Sequence, residues 1–325
     1  MVTPRTSDPA AAAGPPYPAA CAREVVAFLS RLVGGGPDTT GRVTISPAAG
    51  NAHALHAARH RLPQATLYHG AHAHPTIPAL AARLGMPAVR VPCRTDGSMD
   101  PAALARSCMR GHGRAAVVVA TAGTTMTGAV DDVPALRDAA TLAGAVHLHV
   151  DGTSGGIVAA AAPGQPAFGF GAGADSVSLS GRRILGMPAP WGVALLRGGE
   201  PAVPGGGPPS AAAPGAGDTA VLLWNALRRL GVDGLVQRVG RCLETASYVH
   251  LRLAAAHHRP RRHPASLAVS FTRPPGWVCR KWDLALDGDR ARIVATPRLT
   301  ATAVDELAAD LARGAAGPPE EGTVA

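Results

Sequence analysis

His147-Leu148-His149-Val150-Asp151, followed by Asp175-Ser176-Val177-Ser178-Leu179-Ser180-Gly181-Arg182-Arg183-Ile184-Leu185-Gly186-Met187-Pro188, decides how this chain is read. The first segment is a short apolar strand that delivers a carboxylate at its C-terminal end. The second is another strand, closed by Ser-Gly, two basic residues and a Gly-x-Pro turn. In α/β folds the carboxyl ends of the strands border the ligand crevice, so Asp151, Ser180, Arg182 and Arg183 fall to one edge of the sheet. A buried carboxylate is costly unless it is paired. Two readings of Asp151 stay open: a counter-charge for a cationic nitrogen, or a cap for the next helix through Thr153 or Ser154.

Outward from this pair, short apolar runs alternate with amphipathic stretches. Strands are expected at 43–45, 65–68, 88–91, 115–121, 145–150, 176–179 and 192–196, with helices at 23–32, 52–60, 77–84, 101–109 and 133–143. Continuous apolar strands alternating with helices predict a mainly parallel sheet covered on both faces. A Gly/Pro/Ala-rich loop at 198–217 precedes helices at 219–230 and 234–257, then strands at 266–271 and 291–295 and a last helix at 303–312. The expected division is a disordered lead (1–20), a large domain (21–233), a small C-terminal α+β domain (234–315) and a tail (316–325).

The composition narrows the function. Among 31 basic residues Lys281 is the sole lysine, a bias that accompanies abundant Ala, Gly and Pro and 3% aromatic content. A formal charge of +9 permits acidic partners, but the arginines are scattered. The one dense run, His257-His258-Arg259-Pro260-Arg261-Arg262-His263, reads as an exposed turn. No nucleic-acid motif accompanies the charge, so nucleic acid is not an expected partner. Five widely spaced cysteines without a CxxC suit a reducing cytosol. No apolar run reaches the ~18 residues of a membrane span, and Pro and Gly stand where a signal peptide has its apolar core. A cytoplasmic protein without membrane contact is expected.

Three further stretches carry candidate chemistry. His69, His72 and His74 follow a strand without diagnostic metal-ligand spacing; no metal is expected, and an imidazole stacked on an aromatic ligand fits better. Gly123-Thr124-Thr125 after the longest strand offers close backbone approach and hydroxyls. Ser46-Pro47-Ala48-Ala49-Gly50-Asn51 opens a helix whose N-terminus suits a phosphate. Arg182 and Arg183 are either an anion clamp or solvent-facing charges on a turn.

With these residues in view, the chain resembles the bacterial pyridoxal phosphate (PLP)-dependent histidine decarboxylases, within the group II amino-acid decarboxylases of fold type I. The resemblance runs from about Arg23 to Ala312. It rests on Gly-Thr-Thr-Met-Thr-Gly-Ala-Val-Asp-Asp (123–132), His-Val-Asp (149–151), Asp-Ser-x-Ser-x-Ser-Gly (175–181), Leu-Leu-Trp-Asn-Ala-Leu-Arg (222–228), Lys-Trp-x-Leu-Ala (281–285) and Ala-Arg-Ile-Val-Ala-Thr-Pro (291–297). It implies a PLP-transferase-like large domain, dimers with sites at the subunit interface, His74 stacked on the pyridine ring, Asp151 on its nitrogen and Ser180 near the phosphate. The departures are as informative. The family's Ser-x-His-Lys reads Ser180-Gly181-Arg182-Arg183, which puts Arg183 at the Schiff-base lysine position. Its Gly-Gly-Thr-Glu-Gly-Asn phosphate loop reads Ser46 to Asn51, its later Ser-Gly-Ser-Arg-Asn-Gly region matches featureless 212–217, and its N-terminal segment is reduced to the short lead.

Guanidinium stays protonated and cannot serve as the amine nucleophile. The expectation is therefore a decarboxylase homologue with a degenerate cofactor site, holding PLP non-covalently at best or not at all. It would serve as a non-catalytic or partner subunit, in a homodimer or in a heterodimer with an active homologue. The alternative is an enzyme that reuses the crevice for a non-covalent PLP adduct, or for other chemistry, through Arg182 and Arg183. An active carboxy-lyase relying on Lys281 is the least favoured reading.

Overall fold

The computed structural model describes residues 18–111, 114–164, 166–199 and 215–314. Residues 200–214 of the expected loop at 198–217, 1–17 of the expected lead and the expected tail lie outside them, while 216–217 belong to the helix that follows. In chain order the large domain comprises α1 (Pro18–Leu32), β1 (Thr39–Thr44), α2 (Pro47–Arg61), β2 (Thr66–Gly70), α3 (Thr76–Arg83), β3 (Ala88–Val91), α4 (Pro101–Arg110), β4 (Ala116–Thr121), α5 (Val133–Ala140), β5 (Val146–Gly152), α6 (Gly156–Ala161), β6 (Ser176–Leu179), α7 (Arg182–Leu185) and β7 (Gly192–Arg197). Then come α8 (Ala216–Ala255), β8 (Ala268–Thr272), α9 (Gly276–Lys281), β9 (Ala285–Asp287), β10 (Arg290–Val294) and α10 (Ala301–Arg313).

The first seven strands form one sheet in the order β1-β7-β6-β5-β4-β2-β3, in which β7 alone runs against its neighbours. This is the expected mainly parallel α/β sheet. Every residue of β4 is buried, because both faces are covered: Val118 and Ala120 enter the large core with Leu148 and Val150, while Val117 and Val119 pack with Leu55, Leu67 and Ile77 on the other side. Helix starts follow local chemistry. Ser46, Asp100, Asp132 and Thr300 each accept a backbone N–H in the first turn of α2, α4, α5 and α10. Proline in that turn of α2, α4 and α5 costs no hydrogen bond.

A second sheet, β8-β10-β9, is antiparallel throughout and belongs to the C-terminal part with α9 and α10. The two helices expected at 219–230 and 234–257 form one run, α8, broken by Gly231 at φ 62 and ψ −175. Glycine suits that break because a side chain would oppose the left-handed φ. Helix α1 begins at Pro18, so residues 18–20 are helical where a disordered lead was expected. No helix among the described residues is long and apolar enough to cross a membrane.

Candidate functional site

The parallel register brings the carboxyl ends of β4, β5 and β6 level: Thr121 lies opposite Asp151, and Asp151 opposite Ser178. The loops leaving these strands bound a cavity of about 290 Å³, closed on its far side by Ser266, Ala268 and Arg292 of the C-terminal part. Its floor is the contact of two loops. Gly123 has φ +97, and a Cβ there would stand 2.7 Å from the backbone of Gly155, so glycine is required on both counts.

Of the residues singled out in the sequence, Thr124, Ser180, Arg182 and Arg183 border this cavity, whereas Ser46, Asn51, His74 and Asp151 do not. Ser180 Oγ donates to Trp191 O at 2.7 Å. Arg182 and Arg183 open α7 directly after β6 and are exposed. Thr124 Oγ1 accepts from Ala129 N at 3.0 Å and shares a 2.8 Å hydrogen bond with Thr127 Oγ1, which tightens the 124–129 turn.

Asp151 is 2% exposed, and its Oδ1 accepts from both Thr153 N (3.1 Å) and Thr153 Oγ1 (2.6 Å). The contact with Thr153 is a local turn rather than the expected helix cap, because α6 starts at Gly156 with Gly155 as its N-cap and no side-chain cap; the second oxygen has no protein donor among the described residues. His74 is exposed, with Nδ1 tied to Thr76 Oγ1 at 2.8 Å at the start of α3. His69 is buried against Gly70 O at 3.0 Å, His72 is exposed, and no group of three metal-ligating side chains exists among the described residues. Ser46 Oγ caps α2 by accepting from Ala49 N at 3.2 Å, and Pro47 next to it has no N–H to offer.

Asn51 belongs to a buried polar chain. Period-two alternation places His147, His149 and Asp151 on the sheet face beneath α2. Asn51 Oδ1 pairs with His149 Nε2 at 3.1 Å, His149 Nδ1 with Ser176 Oγ at 2.9 Å, and Ser176 Oγ with His147 Nε2 at 2.9 Å. One direction satisfies every partner: His147 donates to Ser176, Ser176 to His149, and His149 to Asn51. Both imidazoles are then neutral. Burial drives His147 down to about 3 and His149 to about 4, against the opposing pull of Asp175 and Asp151 respectively.

Sequence reasoning missed Arg292 and Trp191. Arg292 Nη1 donates to Thr125 O across the cavity, while its Nε is buried without a partner. Burial, and secondarily the charge of Arg183, lower the Arg292 pKa. The one available signal was an arginine inside the apolar run Ala291 to Ala295. Trp191 is fully buried beside Gly181, and its indole N–H also lacks a partner. Lys281, by contrast, lies at the end of α9, with Nζ 2.7 Å from Asp310 Oδ2. It borders neither the cavity above β4–β6 nor the basin behind α7.

Comparison with known proteins agrees with this architecture. Residues 50–200 match the pyridoxal-dependent decarboxylase conserved domain. The chain is 30% identical over 296 residues to histidine decarboxylase of Mesorhizobium japonicum, covering 87% of this chain and 79% of that one. It is 27% identical over 306 residues to histidine decarboxylase of Vibrio campbellii, covering 89% and 79%. The structure of L-methionine decarboxylase from Streptomyces sp. 590 superimposes with a TM-score of 0.79 at 20% identity, over 92% of this chain and 84% of that one, a likeness of fold. A mainly parallel seven-stranded sheet, ordered motifs along nearly the whole length and a 30% identical relative lead to one conclusion: the chain belongs to the group II, fold type I family of pyridoxal-dependent decarboxylases.

Proposed function

We propose that this chain is a decarboxylase-family subunit that does not hold PLP through a Schiff base and does not decarboxylate amino acids by itself. When bound, PLP supplies an electron sink for the carbanion left by loss of CO2, and that chemistry begins with an amine. The observation that carries the reading is the placement of basic groups. The first turn after β6 presents Arg182 and Arg183, and the sole lysine is ion-paired to Asp310 on α10. A guanidinium remains protonated and is no nucleophile.

The other groups support the same reading. Asp151 retains a free oxygen for a ring nitrogen, but Ser46 is spent on its helix, Pro47 has no N–H, and Asn51 is committed to His149. The residues do not fit Schiff-base-linked PLP, and no reaction step is assigned to it. The chain's role is then structural, as one subunit of a cytoplasmic homodimer or of a heterodimer with an active homologue, with the large domain at 21–233 and the small one at 234–315. The test is CO2 release from L-histidine, L-methionine and L-serine by the purified protein with excess PLP. No release above the rate with PLP alone is expected, and turnover would overturn the proposal.

A second reading has its own observation. Among the described residues Arg182, Arg183 and Arg292 border the cavity without a single carboxylate in its lining, and Arg292 Nε is buried without a partner. This supports a crevice reused for a non-covalent anionic ligand, a PLP–amino acid adduct being one that the family relationship suggests. Equilibrium dialysis with PLP and L-histidine, repeated on Arg292→Gln, separates this reading from an empty scaffold.

A further inference from the structure

We propose that the basin behind α7, which adjoins the crevice and shares Arg182, Arg183 and Thr296 with it, is a second site that binds a small ligand carrying two or more phosphate groups. The basin, an open concavity of about 850 Å³, lies between α7, the Gly186–Pro188 turn, the middle of α8 and the turn after β10. Five arginines line it: Arg182 and Arg183 from α7, Arg238 and Arg241 from α8, and Arg298. Among the described residues no Asp or Glu lines it. Elsewhere among the described residues arginines form ion pairs, Arg106 with Asp100, Arg137 with Asp175, Arg252 with Asp305 and Arg313 with Asp310. Among the described residues none of the five forms an ion pair. The one polar anchor is Arg238 Nη1, which donates to Ile184 O at 3.3 Å and fixes α8 to α7.

Five like charges converging from three separate segments repel one another in the folded state, and an anion relieves that repulsion. Guanidinium forks match phosphate oxygens two at a time, so five exceed what one phosphate takes up and suit two or three. The shape selects a small ligand. Arg238 is half-buried in the basin, the other four arginines stand exposed around it, and three separate segments meeting at one concavity suit a compact ligand better than an extended strand. Thr296 in the same lining offers a hydroxyl to a further oxygen, while Thr245 Oγ1 donates to Arg241 O at 3.0 Å. Arg182 and Arg183 face both cavities, whereas the α8 arginines and Arg298 have no part in the crevice above β4–β6 and distinguish this site from it.

The test is calorimetric titration of the full chain with inorganic pyrophosphate at low ionic strength, where screening is weak. Saturable one-to-one binding that weakens with added salt is expected. Arg238→Gln and Arg241→Gln should each weaken it about tenfold or more, the usual worth of a charged hydrogen bond. Arg83→Gln, on the exposed side of α3, should leave it unchanged. Arg298→Gln, on an exposed turn, supplies a variant whose fold is not at risk and should also weaken binding. Absence of saturation, or equal weakening by Arg83→Gln, would overturn the proposal. So would loss of binding in Arg292→Gln with none in Arg238→Gln, which would put the anion in the crevice. Displacement of pyrophosphate by stoichiometric duplex DNA would overturn it in favour of a nucleic-acid surface.

Discussion

Lowering the pH from 7 to 5 should destabilise this protein through the buried pair His147 and His149. An unfolded imidazole titrates near 6.5, whereas burial holds His147 near 3 and His149 near 4 in the fold. The folded values are depressed, so the stability they confer is present above pH 6.5 and drains away as pH falls toward 4. Between pH 7 and 5 the unfolded chain takes up about three-quarters of a proton on each ring and the folded chain almost none. Each ring therefore subtracts about 2 kcal/mol. Asp131 acts in the opposite sense. Burial raises it to about 6, against the backbone N–H groups of Met99 and Thr121 that bind its ionised form. The fold therefore protonates it first and recovers about 1 kcal/mol over the same interval. The three groups together predict a net loss of about 3 kcal/mol. His147→Gln keeps an N–H for Ser176 and removes one titration, so its loss should shrink to about 1 kcal/mol, whatever its stability at pH 7. Urea unfolding followed by circular dichroism at both pH values measures this directly. A variant that loses as much stability as the parent between pH 7 and 5 would refute the reasoning.

Other substitutions probe the frame around the site. Asp131→Ala removes the acceptor of two backbone N–H groups, Met99 at 2.6 Å and Thr121 at 2.7 Å; leaving both buried and unpaired should cost about 2–5 kcal/mol in urea unfolding at pH 7. Gly123→Ala combines a φ of +97 with a Cβ 2.7 Å from Gly155, and a loss of about 3 kcal/mol or more is expected in the same assay. Lys281→Met leaves the buried Asp310 with Arg313 and Trp282 as partners; thermal unfolding should register about 1–3 kcal/mol of destabilisation, and PLP absorbance should be the same as for the parent.

The central strand β4 was legible as a continuous apolar run of the kind a doubly covered sheet demands, and 88–91 and 176–179, though interrupted by Arg90 and by Ser176 and Ser178, match β3 and β6 to the residue. Strand β9 was invisible: Ala285, Leu286 and Asp287 are all exposed on a sheet edge, so no burial pattern marks them. The break in α8 was readable as two helices, since Gly231 interrupts an otherwise regular run, yet not as one continuous element. At the site, a position along the chain located Asp151, Ser180 and the two arginines at the strand ends. It did not reveal which polar atoms were already spent. Asn51 faces His149 across 98 residues of sequence, and Arg292 reaches Thr125 across 167. Such pairings arise from helix-on-sheet and domain-on-domain packing, which local patterning does not encode. The Arg238 and Arg241 side of the α7 basin was hidden for the same reason, because α8 meets α7 only in the folded chain.

The claim that no lysine in this protein serves PLP is tested most directly by covalent trapping. The protein is incubated with PLP, reduced with borohydride, desalted and mapped by peptide mass spectrometry. The account predicts that no peptide from the crevice carries a pyridoxyl group and that Lys281 is unlabelled at stoichiometric PLP, whereas Arg183→Lys acquires one label at position 183. Stoichiometric pyridoxylation of Lys281 in the unaltered chain would contradict it.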